Sequence, residues 1–336
     1  MEKSEAVARD AISADWVLAD TLGIGHYACV AATASPSIRL TRGTAVSRFD
    51  PPITAVRRLV EWALVEDLEP LGDVSAHLLP ASLEATCEFR SRESGVFAGR
   101  ACVAETFRQV DDAVSVEWMV ADGDALAEGD TIVRVTGSTQ SLLIAERVSL
   151  NFACHLSGIA TMTRAFVVAA GHRLSIRDTR KTLPGLRALQ KAAVRAGGGT
   201  NHRGSLSESI MMKDNHLSSS SVRSLFAAAA EQGGGRLTTV ECETAADVRA
   251  AVVERPQCVL LDNMTPDEVR AVVELVPEDI DIEVSGNIDL SNISAYAEIP
   301  QVRYAAIGAL THSARSLDIG ADYVESLQLA RSGDHV

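Results

Sequence analysis

No two of the six cysteines form a CxxC pair, and none of the eight histidines stands in an HxxxH or HExxH spacing. The first absence leaves Cys29, Cys87, Cys102, Cys154, Cys242 and Cys258 as single small hydrophobes, the usage of a reducing compartment. The second removes the usual zinc signatures. Excess positive charge is lacking too, because 45 acids face 31 Lys/Arg, giving a formal charge of −14 and a pI near 5.0. Nucleic acid and anionic membrane both select a basic face, so neither is expected as the main partner. No apolar run approaches the roughly 18 residues of a bilayer span. The opening MEKSEAVARD lacks the n-region and h-region of a secretory leader, so a cytoplasmic location is expected. No GxGxxG follows the first strand and no Walker A motif occurs, which argues against a Rossmann or P-loop nucleotide site.

What is present is material for a large core: 336 residues, 46% of them hydrophobic, enough for one or two domains. Residues 1–50 show no sustained period. They read as an N-terminal extension, expected to be poorly ordered or loosely docked. From Pro51 the pattern sharpens. ITAVRRLVEWALVEDL sets Val56, Leu59, Val60, Ala63 and Leu64 at helical spacing and ends near EPLGD. VSVEWMVADGDALAEGDTIVRVTG then reads strand, turn, strand, turn, strand. Its DGD and EGD turns resemble the hairpins of lipoyl-type carriers, but no lysine stands at the tip, so the segment is scaffold. In SLLIAERVSLNFACHL, Leu142, Ala145, Ser149, Phe152 and Leu156 form one helical stripe, with Arg147 roughly opposite. The following SGIAT is expected to break that helix before a second run through Val168. An N-terminal α+β domain over 51–152 results, on which a tail over 313–336 is expected to pack.

The remainder, 153–312, repeats one grammar: a short β run, a polar residue or glycine at its end, then a helix. LSIRDTRKT ends in charges, LTTVECET at Glu241 and QCVLLDN at Asp262. IDIEVSGN ends at Ser285 and Gly286, and RYAAIGALTHS at Gly308. Such alternation predicts a parallel sheet covered on both faces. With about six strands rather than eight, it predicts an incomplete β/α barrel whose functional groups collect at the C-terminal strand ends.

One short window reverses the sign of the chain. Between Arg177 and Lys213 stand eight Lys/Arg against two acids, Asp178 and Glu208. A reversal that steep points to a focused anion site. Arg187, Lys191 and Arg195 recur every four residues on a predicted helix over 184–196, opened by Pro184, and suit a solvated face as well as they suit a ligand site. Arg180 and Lys181 leave a strand end. His202 and Arg203 follow the run Gly197–Gly199, whose small residues let backbone approach an anion or a neighbouring helix. Lys213 sits where an apolar run turns polar. Arginine forks match carboxylate or phosphate and lysine adds a movable charge, so the set suits a small polyanionic substrate. Glu241 and Asp262 fit a divalent metal with ribose hydroxyls and diphosphate, helix caps, or ion-pair partners. Ser285–Gly286 and Gly308–Ala309 offer backbone N–H groups before helices for a terminal phosphate.

The stretches ALVEDLEPLGDVSAHLLP, AERVSLNFACHLSGIATMT, DTRKTLPGLRALQKAAVRAGGGTNHR, KDNH, VECE, LLDN, EVSGNI and IGALTHSA occur in this order over roughly 51–326. In them the chain resembles the quinolinate phosphoribosyltransferases, with DTRKT-PGLR and GGG-NHR the most specific. The resemblance implies an open-faced sandwich domain, an incomplete barrel and a homodimer or an assembly of dimers. It implies that Arg180, His202, Arg203 and Lys213 bind quinolinate, joined by Arg147 from a partner subunit, with Lys181 between quinolinate and phosphoribosyl pyrophosphate. Glu241 and Asp262 would engage the ribose hydroxyls and Mg²⁺, Ser285, Gly286 and Gly308 the 5-phosphate, and His312 the pyrophosphate end. A paralogue acting on another heterocyclic carboxylate would share most of these motifs. A silent ligand-binding protein would have no need of both the acids and the cations.

Overall fold

Pro52 precedes the first helix, α1 (Ile53–Leu68), which buries Val56, Val60 and Leu64 as the apolar spacing requires. The structure, a computed structural model, describes residues 49–171 and 173–326. The expectation for the N-terminal extension therefore lies outside the described residues, apart from Phe49 and Asp50. Both are half-buried, and Arg195 donates to their carbonyls at 3.1 and 3.2 Å, so these two are docked.

After α1 come β1 (Glu84–Ser91), β2 (Gly95–Val96), α2 (Arg100–Val110), β3 (Ser115–Trp118), β4 (Ala125–Leu126), β5 (Thr131–Ser138) and α3 (Thr139–Ala169). The strand–turn–strand–turn–strand reading of 115–138 matches β3, β4 and β5. The sheet runs β12-β1-β5-β3, where β12 (Ile319–Ser326) is the last strand of the described chain, antiparallel to β1. The end of the described chain thus completes the sheet that the beginning started. Alternation decides the faces: Cys87, Phe89, Val133 and Val135 point inward onto α2 and α3, against Phe107, Leu142 and Ala145. The opposite face carries Glu88, half of a register pair with Arg134, which donates to it at 2.7 Å. This is an open-faced sandwich.

The second half contributes β6 (Ser175–Arg177), α4 (Arg187–Ala196), β7 (Ile210–Met212), α5 (Asp214–Leu217), α6 (Val222–Gln232) and β8 (Thr238–Cys242). It continues with α7 (Ala245–Val253), β9 (Cys258–Asp262), α8 (Pro266–Val272), β10 (Asp281–Ser285), α9 (Ile293–Ala297), β11 (Val302–Ala306) and α10 (Ala309–His312). Six parallel strands order as β6-β11-β10-β9-β8-β7. β6 and β7 are its two edges, so the barrel is open between them. Thr244 and Thr265 build capping boxes with Asp247 and Glu268, which start α7 and α8 just past the ends of β8 and β9.

Three expectations are corrected. α3 does not break at SGIAT: it runs 31 residues without interruption. Gly158 is there because a Cβ would meet the Arg315 carbonyl oxygen at 2.0 Å, so it permits close backbone approach rather than ending a helix. The domain boundary placed between 152 and 153 consequently falls inside α3, which packs on α2 and on α4 alike. α3 is also long and apolar enough to cross a bilayer by length and composition, contrary to the reading that no such run exists. Its apolar side chains are spent on both cores, Leu142 and Ala145 on one and Ile159 and Phe166 on the other. α4 begins at Arg187, three residues after Pro184, because turns occupy 184–186.

Asp122 secures the first turn of α2, accepting the Gly99 and Arg100 N–H groups at 2.9 and 3.1 Å. Burial nevertheless pushes its carboxyl up from 3.8 to about 6, the two N–H groups pulling the other way. A carboxyl raised in the folded state binds its proton more tightly there, so its contribution is fullest below about pH 4 and is lost as pH rises to about 6. Asp122→Asn keeps an acceptor oxygen without the charge. In urea melts from pH 4.5 to 7.5, the variant is expected to gain about 2–3 kcal/mol on the wild type as pH rises. Parallel stability curves for the two proteins would contradict this.

Candidate active site

The grammar of strand then polar residue brings the candidates to one end of the open barrel. Register places Glu241 beside Leu260 and Glu283, and Asp262 beside Ser285, so that Asp262 and Ser285 stand two residues nearer the mouth. Lys213 follows β7 directly, and its ammonium is bonded to the Glu241 carboxylate. Of the roles open to Glu241, the ion pair is the one observed. Asp262 accepts from Asn263 at 3.0 Å. Gly286, at φ 80°, has no room for a side chain, since a Cβ would lie 2.2 Å from the Asn263 side-chain oxygen. The ends of β9 and β10 are therefore pressed together. Contrary to the expectation, Ser285–Gly286 does not lead straight into a helix, because a loop over 287–292 intervenes before α9.

Lys181, Gly308 and His312 form a second contact across the mouth. A Cβ on Gly308 would meet Lys181 Cδ at 3.0 Å and His312 Nε2 at 3.1 Å. Thr311 Oγ1 donates to the Lys181 carbonyl at 2.9 Å, holding the strap after β6 against α10. Gln190, fully buried, reinforces the join: it accepts from Leu183 N and donates to Thr311 O, both at 3.0 Å, and meets His155 Nε2 at 2.9 Å.

The pair His202–Arg203 is held from below. Asp178, immediately after β6, is completely buried and binds the Lys191 ammonium, the Asn201 amide and the His202 N–H, the last at 2.9 Å. Lys191 Nζ also donates to the His202 carbonyl at 2.7 Å. Burial holds the Asp178 carboxyl above its usual range and the Lys191 ammonium below its own, while their mutual attraction opposes both shifts. Lys191 is thus neither on a solvated face nor a substrate ligand. Arg195 and Arg187 are likewise turned inward, Arg195 onto Asn201 at 2.6 Å and Arg187 onto the Gly204 carbonyl at 3.1 Å. The glycine run serves the neighbouring helix: a Cβ on Gly197 would strike the Ala160 carbonyl and Thr163 of α3.

Burial first, and then the Arg180 charge, push the Arg203 guanidinium below its usual range. Arg180 Nε is buried without a hydrogen-bond partner among the described residues. Like charges held together with spare donors are what an anion site requires. Arg147 is not brought into this group. It is exposed on α3 and makes no hydrogen bond or ion pair among the described residues.

Four buried or half-buried residues escaped the sequence reading as site components: Asp178, Asn201, Gln190 and Glu283. Glu283, 1% exposed, lies 3.4 Å from both Arg177 Nη1 and His202 Nε2. Only Asp178 carried a readable signal, as one of just two acids in the cationic window.

Residues 73–157 match the family description "Quinolinate phosphoribosyl transferase, N-terminal domain", and residues 159–322 match its C-terminal domain. The chain belongs to the quinolinate phosphoribosyltransferase family. It is 40% identical over 285 residues to the nicotinate-nucleotide pyrophosphorylase [carboxylating] of Mycobacterium leprae, covering 81% of this chain and 99% of the relative. It is 38% identical over 270 residues to the probable enzyme of that name from Bacillus subtilis, covering 80% and 93%. The solved nicotinate-nucleotide pyrophosphorylase of Francisella tularensis superposes with a TM-score of 0.77 at 31% identity, covering 82% of this chain and 98% of that one.

Lys191→Met leaves the Asp178 charge buried and the His202 carbonyl unpaired. It is expected to cost about 3–5 kcal/mol in denaturant unfolding, the cost of breaking a buried pair. A loss within about 0.5 kcal/mol would be that of a surface lysine and would contradict the assignment.

Proposed function

We propose that this chain transfers the phosphoribosyl group of phosphoribosyl pyrophosphate to quinolinate and releases the 2-carboxylate, giving nicotinate mononucleotide, pyrophosphate and carbon dioxide for NAD biosynthesis. The observation that carries this reading is the barrel mouth itself, where Lys213 after β7 is paired with Glu241 and Arg180 and Lys181 follow β6, in a member of this family. The ring nitrogen attacks C1 of the ribose while the bond from C1 to pyrophosphate breaks, its electrons leaving with the pyrophosphate. The ring is then a pyridinium. The bond from C2 to its carboxylate breaks, the ring takes the electron pair, and C2 acquires a proton as carbon dioxide leaves.

Each residue's part follows from its charge. Arg180, His202, Arg203 and Lys213 bind the two carboxylates of quinolinate, and Lys181 stands between the two substrates. The hydroxyl of Ser285 and the backbone at Gly286 and Gly308 receive the 5-phosphate, and His312, next to Gly308, faces the pyrophosphate. Glu241 and Asp262 take the ribose hydroxyls and would hold Mg²⁺. The donor set suits that ion, since both are hard carboxylates at the ends of adjacent strands. Mg²⁺ characteristically takes one or two protein carboxylates and completes its shell with substrate phosphates and water. Held there, the ion would supply charge neutralisation for the pyrophosphate group. The protein's own work is to hold two mutually repelling anions in line and to keep water from the activated C1.

Arg147 is assigned to the site of a partner subunit in a homodimer, since it is exposed and has no hydrogen bond or ion pair among the described residues. A cytoplasmic location is proposed on the cysteines, which are free and mostly buried among the described residues. The plant relatives' names include mitochondrial and chloroplastic forms.

Product formation is expected to stop when Mg²⁺ is chelated and to return when it is restored. Nicotinate, lacking the second carboxylate, is expected not to replace quinolinate, because it would leave buried cations unpaired. Comparable turnover with nicotinate would overturn the substrate assignment. Arg147→Ala and Lys181→Ala are each expected to be folded and nearly inactive. Mixed at equal concentration with subunit exchange, they should recover about a quarter of the sites, because about half the dimers are mixed and each has one intact site. No recovery after verified exchange would place Arg147 in its own subunit's site or outside catalysis.

A further inference from the structure

Beneath the strand ends, the barrel interior holds one carboxylate that the reaction does not use. Glu283 points inward from β10, as does Tyr304, its register partner in β11. One oxygen, Oε2, accepts from Arg177 Nη1 at 3.4 Å and lies 3.4 Å from His202 Nε2. The other, Oε1, is buried with no hydrogen-bond partner among the described residues. Arg177 is itself clamped, its guanidinium 3.3 Å over the Tyr304 ring. A carboxylate this deeply buried is costly unless the position is used.

Its relation to His202 gives it a use. The imidazole Nδ1 accepts the Arg203 N–H at 2.7 Å, so Nδ1 carries no proton and the ring proton sits on Nε2, facing Glu283. The backbone N–H and carbonyl of His202 are already taken by Asp178 and Lys191. The backbone and Nδ1 of His202 are thereby held from within the barrel, and Glu283 is the charged group that faces its Nε2.

We infer that Glu283 is a positioning residue for substrate binding: acting through His202, it sets the orientation of the imidazole and, through the Nδ1 contact, that of the Arg203 backbone. Arg177, stacked on Tyr304, braces Glu283 in turn. No part in bond making falls to either. The inference rests on the proposed reading of this mouth as the quinolinate site.

The test is a double-mutant cycle read by calorimetry, with quinolinate and phosphoribosyl pyrophosphate titrated separately. Wild-type protein that fails to bind quinolinate would sink the functional reading, and the inference with it. With the wild type binding, Glu283→Gln is expected to weaken quinolinate by about tenfold or more, the usual scale for losing a charge-assisted or outer-shell contact, with phosphoribosyl pyrophosphate unchanged. In a His202→Ala background the same substitution should do nothing further, because the residue it acts through is gone. Equal quinolinate affinity in Glu283→Gln, equal weakening of both substrates, or additive losses in the double variant would each overturn the inference. A readout that needs no variant is the ¹⁵N signature of the His202 ring in the wild type, expected to show a proton on Nε2 alone. A proton on Nδ1, in the neutral or the charged ring, would overturn it even if Glu283→Gln failed to fold.

Discussion

The site depends on one buried ion pair. Asp178 lies at the end of β6 and Lys191 in the middle of α4, and between them they take the N–H and the carbonyl of His202. Burying two charges costs several kcal/mol per ion before their attraction returns any of it. What the expenditure secures is position. Residues 200–209 carry no strand beyond a single bridge between Thr200 and Arg177, yet they must present His202 and Arg203 among other cations that repel them. Backbone hydrogen bonding alone would leave such a segment free to relax away from the charge, and the Asp178–Lys191 pair prevents that.

The rest of the architecture serves the same end. Because β6 and β7 are not joined, the sheet holds this segment only at the bridge between Thr200 and Arg177, and α4 has to be seated by other means. Gly197 and Gly199 let the end of α4 press on α3, and α3 in turn ties the barrel to the sandwich domain. Arg195 and Arg187 then fasten the flanks, one to the chain at Phe49 and Asp50, the other to Gly204. The local excess of positive charge in an acidic protein therefore has two populations. Arg177, Arg187, Lys191 and Arg195 are bonded within the framework, whereas Arg180, Lys181, Arg203 and Lys213 gather at the barrel mouth, Lys213 there paired with Glu241.

Much of this was legible in the residues. Strand ends at Glu241, Asp262, Ser285 and Gly308 could be read because a β/α repeat puts its polar residue where the strand leaves the core. Helix α1 could be read because its stripe is regular. The misreadings share a cause, which is contact between residues far apart in the chain. Ser157–Gly158 looks like a helix break because glycine weakens a helix interior, and only the approach of Arg315 explains it. Lys191 looks like a surface lysine because Arg187 and Arg195 flank it at helical spacing, and its partner Asp178 is across the barrel wall. Glu283 sits at an ordinary alternating position of IDIEVS. Nothing local marks it as the neighbour of Arg177 and His202, which the parallel order β10-β11-β6 brings to it.

If the anchor is what holds the site ready before substrate arrives, the amides of His202 and Arg203 should be protected in the free protein. Hydrogen exchange read amide by amide measures this directly. The account predicts that both exchange as slowly as amides of the central strands β9 and β10, since one is bonded to Asp178 and the other to the His202 ring. Exchange as fast as that of the exposed Leu206–Glu208 turn would contradict it, and would mean that the site forms only when its ligand binds.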